Sequence, residues 1–268
     1  MKTKAIYLFI FTCLFETSGF SQSVPKSLDQ WIGIGVYTKL NRRLSANLGQ
    51  VYGFSTSPYQ RQYVQSGFSL SYRINNKLRF SSGFRLSPSQ RAGVTVYKNR
   101  VYGALSLRSK WGYWRVSNSL RFEKHNQVER RYAARLIYSF YIRPKSSIKI
   151  IGLKFMPFFS SQLFYNIGGN PISQYNEAGD RVGRYSPEGL HRFRSRLGFY
   201  VKPVKRLRFT FYIMMQEEFN TPMATKNYRA INVTNPETGR ITRAFNNKYV
   251  MGVSLKYYLP RLFRASSQ

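Results

Sequence analysis

Arg192, Arg194 and Arg196 recur at every second position, and Gly198 and Tyr200 continue the series. A guanidinium group is a permanent cation whose planar fork of donors matches carboxylates and phosphates. Alternate residues of a β-strand share a face. Residues 190–201 therefore predict a strand with one cationic face, and His191, Phe193, Ser195, Leu197, Phe199 and Val201 form the opposite face. The same alternation sets Arg79 and Arg85 against Leu78, Phe80, Phe84 and Leu86, and Arg115 and Arg121 against Trp114, Val116, Leu120 and Phe122. It also sets Arg131 and Arg135 against Tyr132, Leu136, Tyr138 and Phe140, and Arg100 and Arg208 fall on the cationic parity of their own segments. Glu123 and Glu218 are nearly the only acids on that parity. Their expected role is to pair with neighbouring guanidinium groups, because an isolated charge in a narrow interior is costly. Rings of Arg and Lys in a pore favour anions. The chemistry these residues predict is the passage or holding of small anions or an acidic ligand, with no cofactor. The plainer alternative is a solvated or plugged interior whose charge only keeps it polar.

The same residues carry no recognisable catalytic pattern. Outer-membrane phospholipases and lipid A deacylases carry His-x-Ser on one strand, but His125 is followed by Asn126-Gln127, and His191 by Arg192-Phe193 with a parity that points to lipid. Proteases built on Asp-Asp and Asp-His pairs need more than Asp29 and Asp180, which lie far apart. A nucleophile needs a base within hydrogen-bond reach, and the sequence offers none. Two histidines and scattered acids give no metal-ligand spacing. A lumenal lipid-modifying enzyme is the weakest alternative, and the chain is read as a non-enzyme.

The elements that must position these side chains are short alternating strands. Trp31 opens the first, Asn41-Arg42 and Asn75-Asn76 mark tight turns, and Pro144-Lys145-Ser146 and Pro203 mark two more. Residues 148–166 read as one long strand kinked at Pro157. Two long polar loops are expected at 167–189 and 220–245. Short turns alternate with longer loops, as in membrane barrels with short periplasmic turns. Aromatic residues gather near the short turns. Tyr72, Trp111, Trp114, Tyr141, Tyr200 and Tyr257 are expected to form a girdle at the lipid headgroups. The segments number about eleven. Bacterial single-chain barrels have even counts, so the expectation is an all-β, transmembrane, antiparallel up-and-down β-barrel of about twelve strands, with ten as the alternative. A soluble β-sandwich competes, but it would not carry an aromatic face on every strand.

The chain has 268 residues, a net charge of +33 and 17% aromatic residues. Such charge in a soluble domain points to nucleic acid, but the strand alternation already accounts for these residues, and nucleic acid is not expected as a partner. Residues 1–21 read as a secretory signal peptide: Lys2 and Lys4, an apolar run from Ala5, and Gly19-Phe20-Ser21 as the cleavage site. Residues 22–29 form an N-terminal segment, 30–260 the barrel and 261–268 a tail. The one cysteine, Cys13, lies in the export segment, so no disulfide framework is expected. No later apolar run approaches the ~20 residues of a spanning helix. These features together predict the outer membrane of a Gram-negative cell, contact with the bilayer and lipopolysaccharide, and a possible outer-membrane protein complex.

Three stretches carry a family likeness. They are Trp31 with Lys39-Leu40-Asn41-Arg42-Arg43, the run Ser119-Leu120-Arg121-Phe122-Glu123-Lys124 followed by residues 131–141, and residues 192–200 with the hairpin into 207–215. On these the chain resembles the outer-membrane β-barrel family called domain of unknown function 2490. The resemblance implies location and fold and no activity. A Glu-Leu-Phe element of that family reads Gln162-Leu163-Phe164 here, and the last strand is followed by residues 261–268 instead of ending the chain on an aromatic residue.

Overall fold

The computed structural model describes residues 26–56, 59–91, 94–126, 131–176, 178–220 and 230–260. Residues 1–21, read as an export signal, and the tail 261–268 lie outside the described residues. Every described element is a strand. In chain order they are β1 (Ser27–Lys39), β2 (Leu44–Thr56), β3 (Tyr59–Arg73), β4 (Leu78–Arg91), β5 (Val94–Trp111), β6 (Trp114–His125), β7 (Ala134–Pro144) and β8 (Ile148–Ile150). They continue with β9 (Leu153–Ile167), β10 (Ile172–Tyr175), β11 (Arg181–Tyr185), β12 (Gly189–Lys202), β13 (Leu207–Glu218), β14 (Val233–Thr234), β15 (Ile241–Thr242) and β16 (Lys248–Tyr258).

One twelve-stranded sheet closes on itself. Its ring contains eleven strands, β1 to β7, β9, β12, β13 and β16, because β12 pairs with both β9 and β13 while β8 pairs with β9 alone. The barrel is therefore closed as expected, but with neither twelve nor ten strands around the ring. In an up-and-down meander each strand reverses direction, so the first and last of an odd number run the same way. β1 and β16 accordingly pair in parallel, from Ser27↔Lys248 to Tyr37↔Tyr258. The parallel seam corrects the all-antiparallel expectation, and the odd count needs no missing strand.

Local chemistry sets the turns at one end. Asn41 Oδ1 accepts from the amides of Arg43 and Leu44, and Asn75 Oδ1 accepts from those of Lys77 and Leu78, all at 2.7–2.8 Å. These Asx turns leave the flanking strands in register. Residues 148–166 are not one strand. Ile151 and Gly152, with φ of 48° and 74°, make a two-residue hairpin between β8 and β9, the backbone that a primed turn requires. The apolar Ile151 hides that turn from a reading of polarity. Pro157 sits in β9 between the β7 pairing, which ends at Ile142↔Phe159, and the β8 pairing, which ends at Ile148↔Phe155. Its missing donor thus falls where no ladder bond is interrupted on that side.

The short turns 40–43, 74–77, 112–113 and 203–206 lie at one end of the barrel, called here the turn end. β6, β9 and β13 end at the other, the loop end. β4 and β5 stay paired toward the loop end as far as Arg91↔Val94. The outer face is apolar on every ring strand. Ile32, Leu48, Phe68, Phe84, Leu105, Leu120, Tyr138, Tyr165, Leu197, Ile213 and Met251 are each exposed, from β1 round to β16.

Candidate functional site

The inner face is built by the opposite parity. Arg79 and Arg85 of β4, Arg100 of β5, Arg115 and Arg121 of β6, Arg135 of β7, Arg192, Arg194 and Arg196 of β12, and Arg208 of β13 all occupy it. Arg131 differs. It precedes β7 instead of lying in a strand, sits at the loop-end rim with 41% of its side chain exposed, and approaches Glu218 Oε2 at 3.5 Å.

Glu123, fully buried, is the hub of the loop-end half. Its carboxylate takes a hydrogen bond from Arg135 at 2.7 Å and one from Arg121 at 3.3 Å, with Arg85 and Arg100 at 4.0 Å and His125 Nε2 at 3.7 Å. Glu218 forms the second hub. Arg192 grips one oxygen through Nε, at 2.9 Å, and Nη2, and the amide of Asn246 donates to the other at 2.9 Å. A third pair escaped the sequence. Asp29, placed in an N-terminal segment before the barrel, is the third residue of β1. It is 1% exposed and accepts from Lys248 Nζ at 2.6 Å. Only the parallel seam brings these two ends of the chain together, so no local pattern announces the pair.

Many lumenal guanidinium groups also lie on rings, and Arg194, Arg196 and Arg208 do so with no carboxylate partner among the described residues. Arg85 and Arg121 flank Tyr102 at 5.3 and 4.8 Å. Arg196 lies over Tyr212 at 4.3 Å, Arg208 over Tyr200 at 4.7 Å, and Arg194 over Phe164 at 5.2 Å. Each such contact is worth about 0.5–2 kcal/mol, more as water is excluded. Arg194 also donates to Gln216 Oε1 at 2.5 Å, and Arg100 to Gln65 Oε1. These rings need room, and glycine on the adjoining strand supplies it. Gly83 faces Tyr102, and Tyr212 lies between Gly198 and Gly252 in register. A Cβ at Gly252 would sit 2.0 Å from the Tyr212 ring.

Two of the six girdle aromatics belong here instead. Tyr141 and Tyr200 point into the lumen, where their hydroxyls meet at 3.1 Å and both rings stack on Phe158. Their even spacing from lumenal arginines was the available signal. Tyr72, Trp111, Trp114 and Tyr257 stay on the outer face at the turn end and are exposed. His191 also departs from its parity. The register shifts between Leu190 and Arg192, and this bulge buries the imidazole, with its nitrogens 3.0 Å from Glu188 O and 3.1 Å from Phe219 O.

Charge is segregated along the axis. Asp29, Glu123 and Glu218 all lie within three residues of the loop end of their strands. No Asp or Glu occupies the turn-end half of a ring strand or any of the short turns. That half carries Arg79, Arg108, Arg115, Arg143, Arg208 and Lys256. One inward step from most of these is a small residue: Ser81, Ser106, Ser117, Thr210 and Ser254. Ser106, Ser119 and Ser139 are in direct register across three strands. This waist opens into a cavity of about 220 Å³, lined by Gly35, Asn47, Gly49, Gly67, Ser69, Lys256 and, toward the loop end, Gln65, Arg85 and Tyr102. Over the loop end, Ile172, Gln174 and Ile231 are buried, and Gln174 Nε2 donates to Ala230 O at 3.1 Å.

A model of the family described as protein of unknown function (DUF2490) matches residues 28–227. No curated protein and no solved structure matches the chain.

Proposed function

The chain belongs to the DUF2490 family, and on that premise we propose that it is an outer-membrane β-barrel of a Gram-negative cell whose basic lumen forms a small anion-favouring channel. Embedding in a bilayer is supported by the exposed apolar residue on every ring strand. An apolar band running round the whole circumference far exceeds the patches soluble monomers expose, and it matches the outward band of membrane barrels. The remaining aromatics at the turn end would lie at the headgroups there. Residues 1–21 would serve as the export signal, and the long connections would face lipopolysaccharide.

The observation that carries the anion reading is the excess of lumenal cations. Arg194, Arg196, Arg208 and Lys256 have no carboxylate partner among the described residues. Fixed cations in a narrow polar passage attract anions and repel cations. His191 is held between two carbonyl oxygens and His125 lies 3.7 Å from Glu123, and the reading assigns the lumen no catalysis. Purified protein in planar bilayers, under a tenfold potassium chloride gradient, is expected to show a reversal potential of the sign set by chloride. A potential set by potassium would refute the reading.

A second reading, a non-conducting barrel that binds a partner in an outer-membrane complex, is favoured by the buried ion network and the covering residues of the loop end. Between the β10–β11 and β14–β15 hairpins lies a cleft of about 500 Å³ lined by Tyr175, Arg184, Arg240 and Arg243, a place for contacts outside the cell. Absence of conductance, with a partner co-purifying from native membranes, selects this reading.

A further inference from the structure

We propose that the waist of the lumen is a binding chamber for a small multivalent oxyanion that enters from the turn end. The inference deepens the anion reading and rests on it for the sign of the lumen's charge, but not for conduction.

Charge is the first support. Arg85 and Lys256 both line the cavity. Arg85 shares Glu123 with Arg135, Arg121 and Arg100, and one carboxylate balances only one of four guanidinium groups. Lys256 has no carboxylate partner among the described residues. Their uncompensated charge favours an anion between them, and several fixed cations favour a multivalent one over chloride. Charge-assisted hydrogen bonds from such groups are the strong ones.

Shape is the second support. The cavity holds about 220 Å³, enough for a phosphate or a small molecule bearing one, and too little for a polymer. Its neutral lining includes the Asn47 and Gln65 amides and the Ser69 hydroxyl, groups that can donate to oxyanion oxygens. Glycine at 35, 49 and 67 keeps the wall thin, and these positions have ordinary strand dihedrals, so space rather than backbone conformation accounts for them.

Access is the third. Glu123, Asp29 and Gln216 are at most 2% exposed, and Ile172 and Gln174 are buried above them. At the other end Arg108, Lys110 and Arg115 are exposed. The chamber therefore has its mouth at the turn end, ringed by cations without acids.

The test is calorimetric titration of the refolded barrel in neutral detergent with pyrophosphate, against chloride at equal ionic strength. Heat-dependent electrophoretic mobility would verify folding of each variant. Saturable one-to-one binding is expected for pyrophosphate alone. Lys256→Gln should weaken it about tenfold, the loss of one charge-assisted hydrogen bond. Ser69→Leu, which fills the cavity without altering charge, should weaken it as well. Lys205→Gln in the exposed turn 203–206 should change it less than about twofold, as rim charges contribute little to affinity. Absence of saturable binding, or equal loss in the Lys205 variant, overturns the chamber. Pyrophosphate binding without conductance refutes only the channel. Anion-selective conductance without pyrophosphate binding refutes only the chamber.

Discussion

A carboxylate surrounded by guanidinium groups is more important for what it prevents than for the bonds it forms. Glu123 is fully buried with Arg135, Arg121, Arg85 and Arg100 within 4.0 Å. Removing one partner from a buried ionic cluster leaves uncompensated charge, and such losses run to ~3–5 kcal/mol. Glu123→Gln keeps the shape and removes the charge. It is expected to lower the urea midpoint of the folded barrel by an amount in that range. Glu217→Gln is the comparison, because its 2.5 Å ion pair with Lys26 lies on the outward face at the loop-end rim, with both side chains partly exposed, where a pair is worth ~0–1 kcal/mol. Equal midpoints for the two variants would show that the Tyr102 ring beneath Arg121 and the Tyr132 ring beneath Arg135, and not Glu123, hold those cations.

At the scale of the strand, packing inside the barrel depends on alternation between glycine and tyrosine. Tyr212 of β13 lies between Gly198 of β12 and Gly252 of β16, and its ring is the platform for Arg196. Gly252→Ala places a Cβ 2.0 Å from that ring, closer than any packing allows, and overpacking of this kind costs ~1–3 kcal/mol. In a Tyr212→Ala background the same change should cost at least ~1 kcal/mol less, a coupling typical of residues in contact. Equal costs in the two backgrounds, measured by urea unfolding, would place Tyr212 elsewhere. The alternation itself was legible: period two fixed which face each of Arg79, Arg85, Arg121, Arg194 and Arg196 takes, because side-chain direction in a strand is a local property. Tyr141 and Tyr200 were legible in parity but were overridden by the preference of Tyr for interfaces. His191 and the β8–β9 hairpin were not legible, since one depends on a bulge and the other on a positive φ at Ile151. Asp29 needed the closure of the whole ring.

That closure gives the molecule its overall form and offers its sharpest test. Eleven alternating strands force β1 and β16 to run in parallel, and the ladder pairs Gly33 with Ser254 on the inner face. An even-numbered antiparallel ring would end with opposed strands and a different set of partners. An ideal Cβ on Gly33 lies 2.9 Å from Ser254 Cβ. A disulfide needs Cβ atoms ~3.5–4.5 Å apart, a separation reached by a shift of under about 1 Å. Since Cys13 is the one cysteine in the sequence and lies in the segment proposed to be removed, introduced thiols would have no competitor in the exported chain. Gly33→Cys with Ser254→Cys should form a cross-link on mild oxidation of the folded barrel. Joining the first and last strands makes a nearly circular chain, so its mobility on a denaturing gel should change and revert on reduction. Gly33→Cys with Leu255→Cys is the control, because the adjacent residue of β16 presents its side chain to the opposite face. A cross-link in the control and none in the first pair would place β16 one residue out of this register. The lumenal partners Asp29 and Lys248 would then be separated, and one of the three lumenal carboxylates at the loop end would lose its cation.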